Sequence, residues 1–173
     1  MSDRATQDDI LRRIVDRLRA KIPEYADTVC FLCDQPQPVS WPDGPLCCVV
    51  SVSDGRFPEQ FTTGGGASTL CKQITLEVTA WVRCVLDNVP SLDLVFLEEH
   101  GLWSTWEPAI LRALLLETDS TGRADAWMPT DRYGAGLLRN QIAPLRTSAA
   151  RPDATGQWMG LTISFGLDFD WRL

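Results

Sequence analysis

Apolar and polar positions follow two different periods along this chain, and the change of period marks its elements. Near the start, Ile10, Leu11, Ile14, Val15, Leu18 and Ile22 recur at helical spacing, with Arg12, Arg13, Asp16, Arg17 and Arg19 on the other face. Thr6 is placed to cap this helix, Asp8 and Asp9 lie where the helix dipole favours negative charge, and Pro23 stops it. The period then shortens to two. Residues 28–33 and 46–53 read as strands separated by a proline-rich turn, DQPQPVSWPDGP. Across 74–86, Ile74, Leu76, Val78, Ala80, Val82, Cys84 and Leu86 alternate with Thr75, Glu77, Thr79, Trp81 and Arg83, a long strand with one buried face.

Residues 91–100 predict a short helix ended at Gly101, and Ser104 or Thr105 caps another, with Pro108 in its first turn and Ile110, Leu111, Leu114 and Leu115 as its stripe. Residues 118–157 are mostly polar and carry Gly and Pro; they predict a long loop with one helical turn around 137–142, a length usually tied to function or motion. The closing segment alternates Leu161, Ile163, Phe165, Leu167, Phe169 and Trp171 with Thr162, Ser164, Gly166, Asp168 and Asp170, a long amphipathic strand. This order, without a βαβ rhythm, predicts an α+β fold. It is one domain over 1–173: an antiparallel sheet of about four strands with helices on one face, an extended Gly-rich hairpin projecting at 54–73, and the 118–157 loop.

Composition narrows the function more than the fold. The chain has 173 residues and a net charge of −7, which argues against a nucleic-acid-binding role that needs a basic face. Fourteen of its sixteen basic residues are arginine. The polar first residues do not resemble a signal peptide, and no apolar run reaches the roughly 20 residues of a membrane span, so a cytoplasmic site of synthesis is expected.

Cysteine is the most suggestive residue type. Cys30, Cys33, Cys47 and Cys48 sit close together among six cysteines. Cys30 and Cys33 have zinc-ligand spacing, but Cys47 and Cys48 are adjacent and on a strand would point to opposite faces. Free thiols buried in strands are the favoured reading over zinc. A catalytic thiol needs a base, and the chain's one histidine, His100, follows Glu98–Glu99 at a helix end, where a surface position is expected. Gly64-Gly65-Gly66 lacks the ending of a phosphate-binding loop, and the aspartate pair Asp168/Asp170 reads as the solvent side of a strand. No catalytic residue, metal or cofactor is expected.

The segments SVSDGRFPEQFTTGGGASTLCKQITLEVTAWVR and GLTISFGLDFDWRL, in this order, resemble the tail terminator (tail completion) proteins of long-tailed bacteriophages and prophages. The resemblance lies in pattern and element order over most of the chain, with DGRFPEQFTTGGG its one specific stretch. It implies a non-enzymatic virion protein of the tail or neck, assembled in the host cytoplasm as a six-fold ring on the head-proximal end of the tail tube. Its implied partners are further copies of itself, the tail tube protein and the head–tail connector or stopper, with genome DNA in transit only and no membrane. An isolated hairpin is marginal in water, so Arg56, Phe57, Phe61, Gly64, Gly65 and Gly66 are candidates for contact with a neighbouring subunit or the tube. Asp168 and Asp170 are candidates for the channel, with Arg12, Arg13, Arg17 and Arg19 outside or against a neighbour's acids. A head–tail connector protein is the alternative within this class, and a thiol- or zinc-dependent enzyme the alternative outside it.

Overall fold

An amphipathic helix gains stability when its apolar stripe finds a sheet to cover, and the first helix does this. In the computed structural model, residues 7–26, 29–56, 62–64, 67–83, 101–116, 142–150 and 157–172 are described, with 62–64, 67–71 and 168–172 described by backbone pairing alone. Helix α1 (Gln7–Lys21) carries Asp8 and Asp9 in its first turn and Arg19 and Lys21 in its last, matching the dipole at both ends. Ile10, Leu11, Ile14, Val15 and Leu18 are buried, each contributing about 1.5–3 kcal/mol through lost apolar exposure. Thr6 lies outside the described residues. A short 3-10 turn, Pro23–Tyr25, then buries Tyr25 against the ring of Trp106, centroids 5.2 Å apart.

Two of the helix arginines depart from the expected solvent face. Arg12 and Arg13 are exposed, but Arg17 is only 6% exposed, and its Nε donates to the Ala113 carbonyl at 3.0 Å. Arg19 is half-buried and donates Nε and a terminal nitrogen to the Cys30 carbonyl at 2.8 and 2.6 Å. A long stem with five donors lets arginine lie along apolar surface and still satisfy a distant carbonyl, which helical periodicity does not register.

The sheet is mixed, a correction to the expected antiparallel one. Strand β1 (Cys30–Leu32) runs parallel to β2 (Leu46–Arg56). Antiparallel pairs then join β2 to β4 (Ala67–Arg83), β4 to β6 (Trp158–Arg172) and β6 to β5 (Ala143–Ala150). The spatial order is β1-β2-β4-β6-β5, with β3 (Thr62–Gly64) paired to the start of β4, so the strands outnumber the expected four. The physical reason for the parallel pair is the connection over residues 33–45. At about a dozen residues it is long enough to bring the chain back to the same end of the sheet, which a tight hairpin cannot do.

Strand β5 lies inside the 118–157 window expected to be loop. Its residues, APLRTSAA, have no two-residue period and are largely exposed. That is the composition of an edge strand, carrying Pro144 and a bulge at one end, and it is indistinguishable from loop by pattern. Ile142, just before it, is buried, while 117–141 and 151–156 lie outside the described residues.

Three consecutive segments, Leu102–Trp106, Glu107–Leu111 and Arg112–Leu116, form one helix, α2, whose outer segments are wound as π-helix. Its cap is Gly101, at φ 70°, and so falls earlier than the expected Ser104 or Thr105. The Trp106 N–H reaches back to the Gly101 carbonyl at 3.0 Å, a five-residue bond that widens the turn just ahead of Pro108. The expected helix at 91–100 lies outside the described residues.

Both helices cover the same face of the sheet. There Ile10, Ile14, Leu18, Leu102, Ile110 and Leu114 meet Cys48, Val50, Leu76, Val78, Leu161, Ile163 and Phe165 in one core. The α+β architecture with helices on one face follows from this. Among the described residues no helix is long and apolar enough to cross a membrane.

Candidate functional site

The face of the sheet away from the helices is the second surface of interest, because side chains of opposite parity build it. Cys47 and Val49 of β2, Thr79 and Trp81 of β4, and Trp158, Thr162 and Ser164 of β6 belong to it. Alternation predicts that these positions are solvated. Thr79, Trp81 and Ser164 are instead 0%, 2% and 1% exposed.

Loop 33–45 closes one end of this face. Trp41 stacks on Trp158 with centroids 4.5 Å apart and meets Trp81 edge-on at 5.2 Å. Trp81 Nε1 donates to the Pro36 carbonyl at 2.9 Å, and the Cys33 thiol lies 3.8 Å from the Gln37 carbonyl. Gly160 makes room for this: a Cβ there would fall 2.6–2.8 Å from the Trp81 ring, closer than real contacts allow. Further along the face, the Thr79 and Thr162 hydroxyls bond at 3.0 Å across the ladder. In the next row Ser51 and Ser164 flank Glu77, and both serine hydroxyls are buried without a hydrogen-bond partner among the described residues.

Beyond these rows lies a hollow of about 370 Å³, lined by Asp54, Arg56, Gln73, Thr75, Leu145 and Gly166. Two bulges flank it. In β2 the pairing slips between Val52 and Asp54, and in β5 between Pro144 and Arg146, where the extra residue is Leu145. Leu145 is 59% exposed and its side chain stands over Gly166, whose missing Cβ would lie 3.5 Å from it.

Past the hollow only β3, β4 and β6 continue among the described residues. Strand β2 ends at Arg56, opposite Gln73, and β5 begins at Ala143, opposite Gly166. Strands β4 and β6 go on pairing from Lys72 and Phe169 to Thr69 and Arg172, and β3 folds onto β4 from Thr62 opposite Thr69 to Gly64 opposite Ala67. From Gln73 back to Ala67 this arm runs about 20 Å at the usual strand rise.

The expected site residues divide along this geometry. Arg56 is exposed at the foot of the arm, its Nε donating to Gln73 Oε1 at 2.8 Å. Gly64 is the last residue of β3; Phe57, Phe61, Gly65 and Gly66 lie outside the described residues. Asp168 pairs in register with Gln73 and Asp170 with Cys71.

The cysteines are distributed, not clustered. Cys30 and Cys48 are register partners inside the main core, while Cys47 packs with Trp81 and Trp158 across the sheet. Burial is the main force pushing the Cys47 thiol up to about 12 and the Cys48 thiol well above its ordinary value, the latter helped by a hydrogen bond with Cys30. Such thiols keep their protons at neutral pH and are poor nucleophiles. Cys30, Cys33, Cys47 and Cys48 are free, and among the described residues no three His, Cys, Asp or Glu side chains are placed to hold a metal. His100 and Cys84 lie outside the described residues.

Sequence reasoning missed the tryptophan cluster, the buried hydroxyls and the hollow. One signal was available: a glycine at 160 inside a strand, which marks a close approach by another group. Compared with known proteins, the chain matches no protein-family model and no curated sequence.

Proposed function

We propose that this chain is a tail terminator: a virion structural subunit that forms a ring at the head-proximal end of a phage tail tube, ends tube growth and joins the tail to the head connector. The observation that carries this reading is the arm. Strand β4 leaves the body for about 20 Å, with β6 beside it as far as Thr69 and β3, from the DGRFPEQFTTGGG stretch of the resemblance, folded onto its far end. Narrow strand ribbons of this kind are marginal in water alone and gain most when a neighbour covers them. Arg56, Phe57, Phe61 and Gly64 to Gly66 are then the contact residues of the arm, and the neighbour is the next subunit or the tube.

The helix-covered core supplies the rigid body from which the arm is held. In a ring of about six, head-to-tail contacts between unlike surfaces close the assembly. The net charge of −7 gives that ring an acidic body, which lets DNA pass without phosphate contacts to hold it. Asp168 and Asp170 are the residues proposed for the channel.

The test is tail length. Particles made without this chain should carry overlong or ragged tubes, and tubes assembled with it should stop at uniform length. Tails of normal length that fail to join heads would assign the chain to the connector instead. Normal, infectious particles in its absence would end the structural reading altogether. Lysine at both Asp168 and Asp170 should slow DNA ejection from particles whose tails are normal; unchanged ejection removes the channel role.

A further inference from the structure

The hollow on the helix-free face is built by two irregularities of pairing. Past Ser51, regular alternation would turn Ser53 and Gly55 onto this face. The β2 bulge between Val52 and Asp54 shifts the parity, so Asp54 and Arg56 take those places, opposite Thr75 and Gln73. In β5 the bulge adds Leu145, whose side chain stands over Gly166. Strands β2 and β5 are separated by β4 and β6, yet their bulges aim an acid, a base and an apolar residue into one space of about 370 Å³. That lies within the range of about 300–1,000 Å³ that holds small ligands.

Asp54 and Arg56 carry opposite charges about 7 Å apart along one strand. Among the described residues they form no ion pair, because each is held elsewhere. Asp54 Oδ1 accepts the Gly55 N–H at 2.8 Å, and Arg56 Nε donates across the ladder to Gln73 Oε1 at 2.8 Å. The second Asp54 oxygen and the two terminal nitrogens of Arg56 make no bond among the described residues. One bond fixes each side chain and leaves its charge on offer. A ligand that touches both meets groups already positioned, and loses less on binding.

The chemistry of these groups selects what they can hold. The free carboxylate oxygen calls for an ammonium, and the free end of the guanidinium presents paired N–H donors that match a carboxylate. Leu145, 59% exposed, is an apolar wall that gains from being covered. Gly166 keeps the floor beneath it open, since a Cβ there would lie 3.5 Å from the Leu145 side chain. A small molecule that carries an ammonium and a carboxylate on one carbon, with an apolar branch beside them, meets all three demands.

We propose that the hollow binds a free α-amino acid with an apolar side chain. Its ammonium sits at Asp54, its carboxylate at Arg56, and its side chain lies on Leu145 over Gly166. The site does not rest on the ring reading, and its failure would leave the test of tail length untouched.

Titration of the full chain with L-leucine, followed by ligand-detected NMR, tests this. Leucine should bind with a Kd of about 1 mM or tighter. Three analogues should each bind about tenfold or more weakly: 3-methylbutylamine, which lacks the carboxylate, 4-methylpentanoate, which lacks the ammonium, and glycine, which lacks the side chain. Arg56→Gln should bring leucine down to the level of the amine, and Asp54→Asn down to the level of the acid. Both residues are exposed, so both variants keep the fold, which circular dichroism checks. No binding of leucine at about 10 mM overturns the site. So does an analogue that binds as tightly as leucine, or leucine binding that is unchanged in either variant.

Discussion

The two faces of the sheet reach the same degree of burial by different means. On the helix side, α1 and α2 lay aliphatic stripes on alternate residues of β2, β4 and β6, and nearly every contact is hydrocarbon on hydrocarbon. On the other side, thirteen residues of proline-rich loop do the covering, through three tryptophans, one indole hydrogen bond and a glycine that makes the fit possible. The first arrangement tolerates exchange of one aliphatic residue for another of similar size. The second depends on shape at single positions, and it leaves polar atoms buried where the loop does not reach. The difference teaches where a surface is free to acquire a role: the helix side is committed to stability, and the loop side has a hollow and hydroxyls without a partner among the described residues left over.

Truncating a side chain on the helix side should have the largest effect. Phe165→Ala removes a fully buried ring from the centre of β6 and should cost about 3–5 kcal/mol in chemical denaturation. A loss under about 1 kcal/mol would mean the helix layer is loosely packed.

On the loop side, Gly160→Ala places a methyl within 2.6–2.8 Å of the Trp81 ring. The expected loss is about 1–3 kcal/mol, with a change in near-ultraviolet circular dichroism as the tryptophans shift. Unchanged stability and spectrum would show that the loop side adapts as freely as the helix side.

How much of this was legible from the chain follows from the same contrast. Helix α1 and the alternating parts of β4 and β6 announced themselves because their periods reflect burial on one face, and the α+β class followed. Strand β5 did not, since an exposed edge strand of small residues imposes no period. The parallel β1–β2 pair did not, since direction depends on the path of a loop. Thr79 and Thr162 read as solvent-facing although both are buried, because a cover supplied by tertiary structure leaves no local mark. The candidate site shared this limit. Arg56 and the glycine run could be named as unusual, whereas the hollow needs two bulges and Gly166 brought together from three strands.

Alkaline titration compares the faces through their thiols. The Cys47 thiol has an ordinary value of 9.0 and is pushed up to about 12 by burial and by Cys30 and Cys33. The native state therefore holds this proton more tightly than the unfolded chain. Its contribution to stability is full below pH 9 and is lost as the pH climbs from 9 to about 12. Cys48, raised on the helix side, adds in the same direction. Cys47→Ala should make the decline in melting temperature above pH 9 shallower; an unchanged slope would show that Cys47 does not drive it.

The smallest effects concern the polar rows. Thr79→Val and Thr162→Val should each cost about 1–2 kcal/mol, because each leaves the other hydroxyl buried and unpaired. The double variant should lose less than the sum, and strict additivity would show that the bond contributes nothing. Ser51→Ala removes a hydroxyl that has no partner among the described residues, so stability should stay within about 0.5 kcal/mol or rise slightly.

The position of β6 has a further consequence, in time instead of energy. It is the last strand in chain order, yet it sits between β4 and β5, and all 15 of its residues pair with β4. Until β6 arrives, β4 has its β2 and β3 neighbours only, and β5 has no described neighbour at all. The β4–β6 ladder therefore closes across a long sequence separation, the kind of pairing that makes folding slow. Removing the segment from Trp158 onward would open one edge of β4 and leave β5 without its described partner. The middle of the sheet is thus completed only when β6 slots between β4 and β5.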